Sequence, residues 1–351
     1  MLKRSVLVTL FLVVAFMAFA SVTGTITEVD KYGNVHTGIL SETFEAAGFE
    51  LGDVLLVTLG DTSEEMPFVT TYGDVDTGEP LVRLSSGHVM MALNYANFAK
   101  TYALEVGSEV TYAMSEKGAY AEELEIRHLV RTEVREDYAS DAIFANFREV
   151  TIGDIAPGRL YRSSHPSIDD PRAPYSIQLV EAAGINTVVN LSDSDEELSA
   201  NCAFSPFYAF VKENGNMINL NMGVDLLSDE FAAKLKKGLL FIIEKDGPYL
   251  VHCVEGKDRA GMTVAILGAL MGGTTEEIYA DYAKSYENYY HVEKGTPAYD
   301  AVINIIENIF ISINNEQPVT DDNIGYVAMK YLIEKAGMSY PEVEALEEKL
   351  Q

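Results

Sequence analysis

The chain has 351 residues, 48% of them hydrophobic, and its 54 acidic against 25 basic side chains leave a formal charge of −29. So apolar a composition excludes a disordered chain, and the length suits two domains better than one. The acidic balance and the lack of any long Lys/Arg run argue against a nucleic-acid partner, so a phosphate-binding site has to be a local positive pocket. Two cysteines, Cys202 and Cys253, are too few for a disulfide scaffold, and a single bridge between them forms only if the fold brings them together in an oxidising compartment.

In chain order, Lys3 and Arg4 precede an apolar run from Val6 to Phe19 that ends in the small-x-small triplet Ala18-Phe19-Ala20. The pattern is that of a secretory signal peptide over residues 1–20, removed before Ser21, and it places the mature chain outside the cytoplasm, secreted or in the cell envelope. No later segment is long and apolar enough to span a bilayer. Residues 21–115 are short Val-, Thr- and Tyr-rich runs broken by glycines, as in "VTGTITEVDKYGNVHTGIL", which predicts a small, mainly β, barrel-like domain. A helix-like insertion, "HVMMALNYANFAKTYAL", is expected within it, and the charged residues 116–142 are expected to link it to a second domain.

From residue 143 to 351 strand-like segments ("INTVVNL", "MINLNM", "PYLVHC") alternate with helical ones ("SDEFAAKLKKGLLFIIEK", "RAGMTVAILGALMG", "TTEEIYADYAKSYENYY"). Such alternation predicts an α/β domain with a largely parallel sheet flanked by helices. The tail reads as two more helices with Gly337 and Pro341 between them.

"VHCVEGKDRAG" sits between an expected strand and an expected helix, where α/β sheets bind their ligands. A loop curled there turns its backbone N–H groups, with those of the helix start, toward a tetrahedral anion, and Gly256 permits the tight turn. The Arg259 fork can grip two oxygens of that anion. Cys253 at the loop's mouth, near a helix amino end and a guanidinium, is placed to react as a thiolate at phosphorus and form a cysteinyl-phosphate for water to hydrolyse. Val254, Glu255, Gly256 and Lys257 complete the binding loop, with Lys257 expected to attract the substrate's charge and His252 to steady the loop from beneath.

"HCVEGKDRAG" resembles the H-C-x5-R signature of cysteine-dependent protein tyrosine phosphatases, and its G-K-D-R interior is similar to the bacterial and fungal branch of that family. "FANFREV", "GRLYRSSHPS", "AGINTVVNLSD" and "IYADYAKSYENYY" resemble that branch's flanking segments. The resemblance implies hydrolysis of phosphotyrosine or a related phosphomonoester, with an inositol-phosphate or phosphoinositide substrate as the alternative and no metal or cofactor. For the leaving-group acid it implies Asp258, inside the loop, ahead of Asp225, which lies 28 residues before Cys253 where the wider family carries a mobile acid loop. Arg162, in "LYRSSHP", is a further candidate for the substrate pocket. Two departures stand out. Ala260 replaces the hydroxyl residue that often comes after the arginine, and "NLS" (Asn190 to Ser192) replaces a D-L-R run, so an inactive phosphate- or phosphoprotein-binding module is a rival reading.

In the amino-terminal module "EVDKYGNVHTGI" and "SGHVMMALNYANFAK" resemble the carboxyl-terminal barrel of enzymes that split S-adenosylmethionine with water or halide. That resemblance makes Asp30, Asn34 and Asn94 candidate nucleoside-binding residues. The alternative is that they are ordinary turn residues of an accessory barrel.

Overall fold

The computed structural model describes residues 21–351, so the expected signal peptide lies outside the described residues. The chain divides into two compact units, the second beginning at Leu129.

The first unit is a sheet of seven strands: β1 (Val22–Val29), β2 (Val35–Leu40), β3 (Val54–Leu59), β4 (Thr62–Pro67), β5 (Pro80–Ser85), β6 (His88–Leu93) and β7 (Glu109–Glu116). They are ordered β4-β3-β7-β1-β2-β6-β5, and every pair is antiparallel. Phe68, just past β4, bridges Val82 of β5, so the sheet nearly closes into a barrel and few edge groups stay unpaired. Phe44, on the short helix Ser41–Ala46, fills the interior, its ring centroid 4.5 Å from Phe49, 5.3 Å from Phe68 and 5.2 Å from Tyr112.

The expected helical insertion is instead strand β6 followed by one helical turn, Phe98–Thr101. The reason is burial on both faces. Val89, Met91 and Leu93 point into the barrel core, while Met90 and Ala92 pack outside it with Val69, Val75, Leu81 and Leu124. A strand covered on both sides reads as a continuous apolar run, which period alone does not separate from a helix.

Residues 116–142 are not a free link. Ala121–Arg127 is a helix that lays Leu124 on the outer barrel cluster, where Tyr120 also packs. From Leu129 onward the segment belongs to the second unit: Arg172 donates to the Thr132 carbonyl at 2.6 Å and pairs with Glu133 at 3.3 Å.

The second unit holds β8 (Arg148–Glu149), β9 (Leu160–Ser163), β10 (Thr187–Asn190), β11 (Met217–Asn219) and β12 (Tyr249–His252), ordered β11-β10-β12-β9-β8. The pairs among β9 to β12 are parallel and β8 is antiparallel to β9. All four residues of β10 and of β12 are buried, as expected of strands covered on both faces. On one face Val188 and Leu250 meet Val180, Leu198, Tyr208 and Val211 from three helices. On the other, Gly238 of the helix Asp229–Glu244 comes so close that a Cβ there would lie 2.9 Å from Leu220 and 3.1 Å from Val189. The helix Asp258–Leu270 leaves the central strand β12 through the loop that starts at Cys253. In the tail, Gly337 separates two helices, but Pro341 lies in the first turn of Tyr340–Leu350, where a missing N–H costs nothing.

Phe44→Ala is expected to destabilise the barrel by about 3–5 kcal/mol through lost burial and a residual cavity. Denaturant unfolding monitored by a probe in the first unit measures it.

Candidate active site

The loop Cys253–Lys257 takes its shape from how its carbonyls are held. Those of Cys253 and Val254 receive the His252 Nδ1–H at 3.3 Å and the His165 backbone N–H at 2.9 Å. The Glu255 carbonyl accepts from Asn146 Nδ2 at 3.0 Å. Arg162 donates one guanidinium nitrogen to the carbonyls of Gly256 (2.7 Å) and Lys257 (3.1 Å). Five successive carbonyls are thus tied to the framework, and among the described residues none accepts from the N–H groups of Val254, Glu255, Gly256 or Lys257. An anion in the curl is the partner that would satisfy those donors. Gly256 has φ +68°, and a Cβ there would lie 2.0 Å from the Ser163 carbonyl oxygen, so glycine is needed for both conformation and space.

From sequence, Arg162 is a candidate for the substrate pocket. It is instead fully buried beneath the loop, because β9 runs beside β12 and delivers its side chain under the curl. Its second nitrogen binds Asp281 at 2.5 Å, and Arg148 reaches the same carboxylate at 2.7 Å. Burial works to raise the Asp281 carboxyl, but Arg148 and Arg162 overcome it and hold the value at about 2. Burial and the neighbouring Arg148 lower Arg162 to about 10, which leaves it charged at neutral pH. Asn146, fully buried with φ +48°, joins the parts: its amide nitrogen also donates to Ser285 (3.2 Å), and its oxygen accepts from Arg148 (2.7 Å) and Asn288 (3.0 Å).

His252 lies under the loop, as its position suggested. Asn190 donates to the Tyr208 hydroxyl at 2.9 Å, Tyr208 donates to His252 Nε2 at 2.9 Å, and the opposite ring nitrogen holds the Cys253 carbonyl. Burial, then the adjacent His165, keep His252 far below its usual value, so the ring is neutral and this tautomer is the one that completes the chain. The His165 ring nitrogen stands 3.0 Å from both Asp193 oxygens. Although burial opposes it, the bond from His165 holds the Asp193 carboxyl far below the usual range.

Cys253 is 3% exposed and unbridged, and Cys202 is likewise a free thiol. Arg259 places one guanidinium nitrogen 2.9 Å from the Met222 carbonyl, while its buried Nε has no hydrogen-bond partner among the described residues. The two aspartates differ. Asp258 opens the helix Asp258–Leu270, and burial pushes its carboxyl up, whereas Asp225 is exposed three residues beyond Met222. Lys257 does not reach freely for substrate: its ammonium lies 3.3 Å from Glu255 and 3.8 Å from Asp258, and Glu255 is also paired with Arg131. Val254 is 45% exposed at the rim.

In the barrel, Asn34 and Asn94 line one cleft of about 690 Å³ with Tyr32, Tyr72, Tyr95 and Asn97. Asp30 organises the adjoining turn, accepting from the backbone of Tyr32 (2.8 Å) and Asn34 (2.9 Å) and from the Asn34 amide (2.9 Å). Asn94 donates to the Val75 carbonyl at 2.9 Å.

Asn146, Arg148, His165, Asp193, Asp281 and Ser285 had no role assigned from sequence. The only signal was indirect: Asp281 and Ser285 are four apart on one helix and so share a face, and Asn146 and Arg148 stand in the same "FANFREV" segment.

The model of the "tyrosine phosphatase family" matches residues 144–351, and that of the "SAM hydroxide adenosyltransferase C-terminal domain" matches residues 24–111. A Cupriavidus necator protein whose name places it among tyrosine-protein phosphatases is 25% identical over 43% of this chain and 63% of its own length. A fluorinase of Actinopolyspora mzabensis is 33% identical over 26% of this chain and 32% of its own. The match thus spans less than two thirds of either relative. Among solved structures, the core catalytic domain of the Saccharomyces cerevisiae PP-IP phosphatase SIW14 is 21% identical with a TM-score of 0.29, covering 50% of this chain and 96% of that one.

Gly256→Ala is expected to abolish binding of inorganic phosphate, measured by calorimetry, because the added methyl cannot coexist with the Ser163 carbonyl. The depressed Asp281 carboxyl contributes stability that is complete above its unfolded value of about 3.9 and is lost as pH falls toward about 2. The melting temperature of the wild type should therefore drop through that window, and Asp281→Asn should be less stable at neutral pH and flatter across it.

Proposed function

We propose that this chain, which belongs to the tyrosine phosphatase family, hydrolyses phosphotyrosine or a related phosphomonoester through a cysteinyl-phosphate intermediate, outside the cytoplasm. The observation that carries this reading is the set of outward-tied carbonyls around Cys253, with the free Nε of Arg259 at the same loop. The Cys253 thiolate attacks phosphorus, the phosphorus–oxygen bond to the leaving group breaks, and the departing oxygen takes the proton of Asp258. Water then attacks the phosphocysteine and gives a proton back to Asp258, releasing inorganic phosphate and the thiolate. Inward N–H groups and Arg259 balance the charge on the equatorial oxygens in both steps. Asp258 is preferred to Asp225 because burial favours its protonated form, as a donor at neutral pH requires.

A polyphosphorylated inositol is the less supported substrate. Such a ligand calls for several uncommitted cations, yet Lys257, Arg131, Arg148 and Arg162 are each already paired with carboxylates. An inactive binding module is the less supported alternative for the whole domain, since Cys253 and Arg259 are both retained. We read the barrel as an accessory module, with Asn34 and Asn94 offering a nucleoside-sized cleft beside the turn that Asp30 shapes. Ala260, without a hydroxyl to assist the leaving thiolate, favours slow breakdown of the intermediate.

The wild type should turn over p-nitrophenyl phosphate and a phosphotyrosine peptide in preference to inositol hexakisphosphate, with an initial burst, and Cys253→Ser should be inactive. Turnover by the serine variant would exclude the thiolate step, and binding without turnover by the wild type would favour the inactive module. Asp258→Asn should remove the alkaline limb of the kcat/KM profile while Asp225→Asn keeps it. Amino-terminal sequencing of the exported chain should begin at Ser21.

A further inference from the structure

Lys257 is the catalytic-loop cation whose surroundings the proposed reaction does not explain. Its side chain is only 14% exposed, and its ammonium stands 4.7 Å from the ring centroid of Tyr286 and 5.3 Å from that of Tyr290. The two tyrosines lie four apart in the last turns of the helix Thr275–Tyr290 and so present neighbouring rings to one cation. The ammonium also lies 3.3 Å from Glu255 and 3.8 Å from Asp258.

We propose that Tyr286 and Tyr290 are positioning residues of the phosphatase reaction: their rings clamp the Lys257 ammonium beside the Asp258 carboxylate and so set how tightly that acid holds its proton. This rests on the reading of Asp258 as the leaving-group acid. The charged and titratable groups facing Asp258 are Lys257 and Glu255 from the loop, Arg259 from the helix Asp258–Leu270, Arg162 from β9, and Tyr282 and Tyr286 from the helix Thr275–Tyr290. Burial and Glu255 favour the protonated carboxyl, and the three cations oppose them. Arg162 is fixed by Asp281 and Arg259 by the Met222 carbonyl. Lys257 has a long flexible stem, and besides Glu255 the two rings are what pack against its ammonium next to Asp258. With the rings removed the cation is free to leave Asp258. An acid that loses a neighbouring cation holds its proton to higher pH, so the alkaline limb should move upward.

The test monitors the Asp258 carboxyl by ¹³C NMR in the full chain carrying Cys253→Ser, assigned by its loss in Asp258→Asn, alongside pH profiles of the active counterparts. Tyr286→Leu and Tyr290→Leu should raise the Asp258 midpoint and move the alkaline limb to higher pH by the same amount. Tyr290→Phe, which keeps the ring face, should retain the wild-type midpoint. Lys257→Met, which leaves the helix untouched, should reproduce the upward shift. Lower activity with an unchanged midpoint in the leucine variants, or no rise in Lys257→Met, overturns the proposal. An alkaline limb that survives in Asp258→Asn overturns the acid assignment and with it the catalytic role of the clamp, while the carboxyl midpoint still reports whether the rings hold the lysine.

Discussion

The second unit depends on the outward anchoring of five carbonyls. A curled loop with its N–H groups turned to one point is unfavourable by itself, because its dipoles are aligned and its donors lack partners. Asn146, Arg162, His165 and His252 take up the carbonyl ends from four directions, so the inward face is set before any ligand arrives. Preorganisation of this kind means that the donors need not be reoriented as charge develops in a reaction.

What holds the anchors is electrostatic. Arg162 lies in the interior with no solvent to stabilise it, and Asp281 together with the carbonyls of Gly256 and Lys257 compensates its charge. Arg148 shares the same carboxylate, and Asn146 ties Arg148 to the loop. Buried ion pairs of this sort contribute less to stability than their Coulomb attraction suggests, since both partners are desolvated. Their effect here is geometric: breaking any one of them leaves a charge uncompensated under the loop. On the other side of Cys253, a neutral His252 is required, because its Nδ1–H and its lone pair at Nε2 serve different neighbours.

The barrel is built on a different constraint. Its sheet approaches closure through Phe68 and Val82, and its interior is filled around Phe44. A second apolar layer outside, with Leu124 from the helix Ala121–Arg127, covers the outer side of β6. That layer is why a segment expected to tether the units is partly structured within the first.

The order of residues alone was enough to mark the loop, since a cysteine, a glycine and an arginine between a buried strand and a helix are a local pattern written in nearby positions. It was also enough to separate a glycine-punctuated β module from an alternating α/β one. It did not distinguish β6 from a helix, because burial on two faces erases the period-two signal. Nor did it place Arg162, which enters from a strand 89 residues earlier in the chain than its pairing partner and lies under the loop only because β9 pairs with β12. Asn146, Asp281 and the histidine–aspartate pair were silent for the same reason. Their partners are distant in sequence, and only the pairing of parallel strands and the packing of the helix Thr275–Tyr290 bring those groups within hydrogen-bonding reach.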